Sequence, residues 1–193
     1  MGLNYDLYRS GLLQALQKIS NNDLDKLTNA ILNTLGNGTV YICGNGGSAS
    51  TAEHMSCDLS KSIYKLSKRT NENRLKVVSL NSNVAKITAL ANDSDYKNIF
   101  SDQLIGLANP GDLLIVITAS GNSPNILEVL NTAKTLGLYS FGLLGFGGGK
   151  ARELVNDYIC VESSDYGIVE DCHLIINHMV TDYLKTYMLS RDK

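Results

Sequence analysis

The stretch Thr39-Val40-Tyr41-Ile42-Cys43-Gly44-Asn45-Gly46-Gly47-Ser48-Ala49-Ser50 joins a short apolar run to a loop of glycine, asparagine and serine that opens into a helix-forming segment. A continuous apolar run bounded by turn residues reads as a parallel strand covered on both faces. Four more such runs follow: KVVSL at 76–80, LLIVIT at 113–118, YSFGLL at 139–144 and DYICV at 157–161. Helix-length segments lie between them, at 48–61, 82–91 with 96–108, 124–136 and 150–155, and a long amphipathic stretch runs from Ile168 to Leu189. Ser123 before Pro124 suits an N-cap followed by proline at the first helical position, and Gly137 suits the position just past the last turn.

Upstream of the first strand, Leu12, Leu13, Leu16 and Ile19 fall at helical spacing, and so do Leu24, Leu27, Ile31 and Leu35, with Asn22 or Asp23 as candidate cap. The expected fold is therefore α/β: a three-layer, doubly wound, five-stranded parallel sheet in the flavodoxin-like order 2-1-3-4-5 with N-terminal helices. It forms one domain, with 1–37 a helical extension and 38–193 the α/β core that includes the long C-terminal helix. The polar stretch from Lys65 to Arg74 is the only shift in composition and reads as a surface loop or a frayed helix end.

The 193 residues are 44% hydrophobic, 19% charged and 7% aromatic, which are globular proportions. Seventeen Lys plus Arg against 19 Asp plus Glu leave a net charge of -2 with no basic run, which argues against a nucleic-acid partner. The first residues, MGLNYDLYRS, lack the apolar stretch of a secretory signal, and no run approaches the ~18 residues of a membrane span, so the expectation is a cytoplasmic protein without a membrane partner. Cys43, Cys57, Cys160 and Cys172 form no C-x-x-C pair and read as reduced packing residues.

In an open parallel sheet of this order, ligands bind outside the carboxyl ends of the strands where the order reverses, between the loops that leave strands 1 and 3. Those loops are Gly44-Asn45-Gly46-Gly47-Ser48-Ala49-Ser50 and Thr118-Ala119-Ser120-Gly121-Asn122-Ser123. Each opens into a helix whose first turn offers free N–H groups and a positive dipole end, so each can hold an anion without a cationic side chain. Either loop alone is also what an ordinary βα turn looks like. Two of them facing one crevice suggest a phosphate monoester. No G-K-[ST] sequence is present, and although Gly44-x-Gly46-x-x-Ala49 satisfies the dinucleotide fingerprint, Ser79-Leu80-Asn81 supplies no acid for a ribose.

His54 and Asp58 are four apart on the helix leaving the first loop, and Glu170 and His178 are eight apart on the last helix, sharing one broad face. Two imidazoles and two carboxylates could meet as a four-ligand zinc site; they could equally be separate solvated residues on two amphipathic helices. Asp171 and His173 read as structural or surface residues, and Asn92-Asp93 as a turn pair near the strand ends.

Taken together, Gly44-Asn45-Gly46-Gly47-Ser48-Ala49-Ser50 with Ala52-x-His54, Ala91-Asn92-Asp93, Ser120-Gly121-Asn122-Ser123 and Glu170-x-x-His173-x-x-x-x-His178 resemble the sugar isomerase (SIS) domain family, and within it the phosphoheptose isomerase branch, over nearly the whole chain. The resemblance implies interconversion of sedoheptulose 7-phosphate and D-glycero-D-manno-heptose 7-phosphate, on the way to nucleotide-activated heptose for surface polysaccharides. It also implies a homotetramer with shared active sites, and zinc in some members. Carried to matching positions, Ser48, Thr118, Ser120 and Ser123 contact the phosphate, and Asn45, Gly46, Gly47, Asn92, Asp93 and Ala119 line the sugar site. His54, Asp58, Glu170 and His178 are the implied zinc ligands. Two positions depart from the family pattern: Asp58 stands for the usual Glu and Glu170 for the usual Gln. A divalent cation would relieve the repulsion between these carboxylates.

Aldose–ketose interconversion through an enediolate needs a base, an acid and an oxyanion stabiliser. Asp58 is the expected base with Glu170 in reserve, and His178 the acid that moves protons between oxygens. Three other readings stay open: an isomerase of a related phosphosugar, a non-catalytic phosphosugar sensor, and a tetrameric SIS adaptor for the bacterial replication initiator.

Overall fold

The computed structural model describes residues 5–64 and 75–191. The polar stretch at 65–74 lies outside the described residues. Five strands, β1 Thr39–Gly44, β2 Lys76–Ser79, β3 Leu113–Thr118, β4 Tyr139–Leu144 and β5 Asp157–Cys160, form one all-parallel sheet in the order β2-β1-β3-β4-β5. The helices are α1 Tyr5–Gln17, α2 Asn21–Leu32, α3 Gly47–Tyr64, α4 Val84–Asp93, α5 Ser101–Ile105, α6 Pro124–Thr135, α7 Ala151–Leu154 and α8 Tyr166–Arg191. Among the described residues, no helix is long and apolar enough to cross a membrane.

Side chains alternate across a strand, so each continuous apolar run feeds two cores. Val40, Ile42, Leu113, Ile115 and Ile117 enter the layer that holds Leu27, Ile31, Met55, Leu59 and the inner row of α8. Tyr41, Cys43, Leu114 and Val116 enter the opposite layer with Phe100, Leu104, Ile126 and Val129. The central strands are thus covered on both faces, as their lack of polar alternation requires, while the edge strand β2 leaves Lys76 and Val78 exposed.

Two local expectations change. The cap of α2 is Ser20, whose Oγ accepts from the Asp23 N–H at 3.2 Å while its hydroxyl donates to Asp23 Oδ2 at 2.7 Å, which moves the start upstream of Asn22. The helix expected over 96–108 is split into a 3-10 turn at Tyr96–Asn98 and the short α5, because Asp95 Oδ1 takes the Lys97 N–H at 2.8 Å and bends the chain locally. The expected start of α6 stands, with Ser123 as N-cap and Pro124 first in the helix, and the Ser123 side chain makes no capping bond.

Candidate active site

The reversal of strand order places the carboxyl ends of β1 and β3 side by side. The loops leaving them enclose a shallow depression of about 140 Å³ lined by Asn45, Ser48, Thr118, Ala119, Ser120, Ser123, Tyr166 and Glu170, with Ile117 behind. Six of the residues expected to hold a phosphosugar therefore meet in one place, and the uncommitted Ser123 hydroxyl is among them. The backbone is built for close approach. A Cβ on Gly44 would press within 2.8 Å of the Ser48 and Ile117 main chain, and Gly121, at φ +65°, would drive one into the Gly148 carbonyl. Gly46 is also left-handed, at φ +55°.

Amides hold the two loops together. Asn45 and Asn125 exchange hydrogen bonds of 2.8 Å in each direction across 80 residues of chain. Asn81 clamps Gly44, accepting from its N–H at 3.1 Å and donating to its carbonyl at 2.9 Å. Asn125, Asn81 and Tyr166 were not legible as site residues, since a lone amide or phenol whose partner is distant in sequence leaves no pattern. Asn92 and Asp93 bond each other at 2.8 Å, exposed at the end of α4, and do not line the depression.

Further along α3, a second group forms. His54 Nε2 lies 3.3 Å from Asp58 Oδ2, His178 Nε2 lies 3.8 Å from the same oxygen, and the two imidazole nitrogens are 3.3 Å apart. The rings meet edge to face, about half exposed, with centroids 5.0 Å apart. These three atoms could hold a metal ion. Two of the three edges match the about 3.3 Å between neighbouring ligand atoms that bonds near 2.0–2.1 Å give around zinc, and the third, at 3.8 Å, is longer.

Glu170 does not belong to this group, and the expected four-ligand set becomes three. Eight residues of helix return Glu170 and His178 to a similar side of α8 but separate them by about 12 Å along its axis. The Glu170 carboxylate instead sits against Gly47, so closely that a Cβ there would overlap it, at the amino end of α3 beside the anion cradle. Asp171 accepts from the Tyr8 hydroxyl at 2.8 Å, which docks α1 on α8 and pushes the phenol up to about 12. His173 is fully buried, with Nε2 against the Leu144 carbonyl at 3.1 Å and Nδ1 without a partner, and burial pushes its pKa down to about 4. Both act as structural residues.

The family model for the SIS domain matches residues 5–145. The chain belongs to the SIS domain family. This SIS chain is 34% identical over 180 residues to the phosphoheptose isomerase of Helicobacter pylori strain P12, covering 93% of the chain and 90% of that relative. It is 37% identical over 167 residues to the phosphoheptose isomerase of Aliarcobacter butzleri, covering 86% and 82%. The phosphoheptose isomerase GmhA of Neisseria gonorrhoeae superposes with a TM-score of 0.84 at 25% identity, over 94% of this chain and 97% of that one. A phosphoheptose isomerase of Francisella tularensis gives 0.84 at 28%, over 94% and 96%. The SIS chain is an enzyme of the isomerase class these relatives represent.

Proposed function

We propose that this enzyme converts sedoheptulose 7-phosphate to D-glycero-D-manno-heptose 7-phosphate in the cytoplasm, towards nucleotide-activated heptose. One observation carries the proposal: the helix whose first turn helps form the anion cradle also bears His54 and Asp58, the carboxylate and imidazole that meet His178.

The hydroxyls of Ser48, Thr118, Ser120 and Ser123 and the first-turn N–H groups of α3 and α6 bind the phosphate. Asn45, Gly46, Gly47 and Ala119 line the sugar, with Asn92 and Asp93 at its far end. Asp58 removes the proton beside the carbonyl to form an enediolate, exchanges it with solvent, and delivers a proton to the neighbouring carbon. His178 moves the proton between the two oxygens, and Glu170 is a second carboxylate at the cradle's edge. The residues fit zinc, which His54 Nε2, Asp58 Oδ2 and His178 Nε2 would hold, leaving Asp58 Oδ1 and His178 Nδ1 for the protons, and which, when bound, supplies Lewis-acid polarisation of the carbonyl.

A homotetramer is part of the same reading. What supports assembly is the set of exposed apolar side chains on α1 and α8: Tyr5, Leu7 and Leu13 on the one, Met179, Tyr183 and Leu189 on the other.

The deciding assay incubates the protein with sedoheptulose 7-phosphate and with five- and six-carbon ketose phosphates, in heavy water, and identifies the aldose. The expected result is a seven-carbon aldose phosphate with deuterium incorporated beside the carbonyl. Turnover of a shorter ketose alone would replace the substrate, and no turnover of any would remove the function.

A further inference from the structure

Asn177 is fully buried on α8, on a polar row with His173 and Thr181 that runs beside the apolar row Val169, Cys172, Ile176, Val180 and Leu184. An amide in such a place is costly unless its hydrogen bonds are made. Its Nδ2 donates to Asp58 Oδ2 at 2.9 Å, and its Oδ1 accepts from the Thr181 hydroxyl at 3.4 Å. The oxygen it holds is the one that both imidazoles approach, at 3.3 and 3.8 Å.

We infer that Asn177 is a positioning residue: its buried Nδ2–H fixes the Asp58 carboxylate towards His54 and His178, and Thr181 fixes Asn177 in turn. The amide is positioned independently of solvent, whereas Asp58 is about a quarter exposed and the imidazoles about half. Asn177 is therefore the rigid end of the contact and Asp58 the end being steered. A hydrogen bond into a ligand carboxylate orients it and tunes its basicity, and losing such a partner typically costs a metal site about 10- to 100-fold in affinity or activity. The inference rests on the reading of this cluster as the reaction's acid–base and metal group.

The test uses the full-length enzyme with Asn177→Leu, which keeps the volume and removes the donor, and Asn177→Ser, whose hydroxyl is too short to reach Asp58. In folded variants the expected result is zinc affinity and kcat each lower by about 10- to 100-fold, with KM for the ketose phosphate unchanged within about threefold. A drop in thermal midpoint with zinc affinity and kcat retained would make Asn177 a packing residue and overturn the inference. A second measurement leaves position 177 intact: in nitrogen-15-labelled protein, Asp58→Ala should shift the Asn177 side-chain amide resonances and speed their exchange. Unchanged resonances would overturn the contact. If wild-type protein binds no zinc and turns over no ketose phosphate, the proposed function fails by itself, while the resonance comparison still decides whether Asn177 holds Asp58.

Discussion

The side-chain amides of Asn45 and Asn125 meet head to head, each Nδ2 donating to the other's Oδ1 at 2.8 Å. Asn45 belongs to the loop after β1 and Asn125, almost fully buried, to the first turn of α6, so one reciprocal pair sets the width of the anion cradle. Asn125→Leu removes both amide bonds of the half-buried Asn45 and leaves its Oδ1 only the longer contact from the Tyr96 hydroxyl at 3.4 Å, at a cost of about 1 kcal/mol. The expected outcome is a KM for phosphosugar raised about tenfold with a smaller change in kcat, measured by steady-state kinetics and by inorganic phosphate competition.

Asp58→Asn keeps the shape of the side chain and removes its basicity. Turnover should fall by at least about 10²- to 10⁴-fold, the usual worth of a positioned base, while substrate binding by calorimetry persists. Zinc content measured on the same preparation separates two roles: turnover lost with zinc retained marks the base, and both lost together mark the ligand. Undiminished turnover would take Asp58 out of the mechanism.

The sheet was legible because each strand is a closed apolar run between turn residues, and LLIVIT at 113–118 or TVYIC at 39–43 has no helical alternative of that length. The two loops were legible for the same reason, since glycine and serine after a strand announce the turn. What stayed hidden depends on distance. The eight-residue spacing of Glu170 and His178 fixes both their shared side and their axial separation of about 12 Å, but which partners each meets depends on α3, which only the folded chain places beside them. Asn177 and Asp58 are 119 residues apart, and Asn45 and Asn125 are 80 apart, so only the folded chain brings these amides to their partners.

His173 should give the fold an acid-sensitive step. The buried imidazole is neutral, with a pKa pushed from 6.5 down to about 4 chiefly by burial. Below pH ~6.5 the unfolded chain takes up a proton that the folded chain refuses, so the contribution is complete above that pH and is lost as the pH falls towards ~4. The full loss is about 3 kcal/mol, of which about 2 should be gone at pH 5. Urea unfolding at pH 7 and pH 5 measures it. His173→Gln should be less stable at pH 7 and should flatten the slope between the two; an unchanged slope would assign the acid sensitivity to other groups.

Glu170→Gln tests the separation of the cradle from the imidazole cluster. The Glu170 carboxylate sits against Gly47 at the amino end of α3, where an incoming phosphate needs the same positive dipole end and the same N–H groups. Two anions sharing a partly solvated site repel by on the order of 1 kcal/mol. Removing the charge should therefore lower KM for the ketose phosphate about two- to fivefold, more at low ionic strength than in salt, because screening weakens the repulsion being relieved. Zinc affinity should stay within about twofold of wild type, since His54, Asp58 and His178 meet without Glu170. A large loss of zinc in Glu170→Gln would restore the carboxylate as a ligand, and the assembled protein would then have to bring α8 of another subunit to the cluster. A fall in kcat alongside the lower KM would instead make Glu170 a working base, since the substrate would bind better while reacting more slowly.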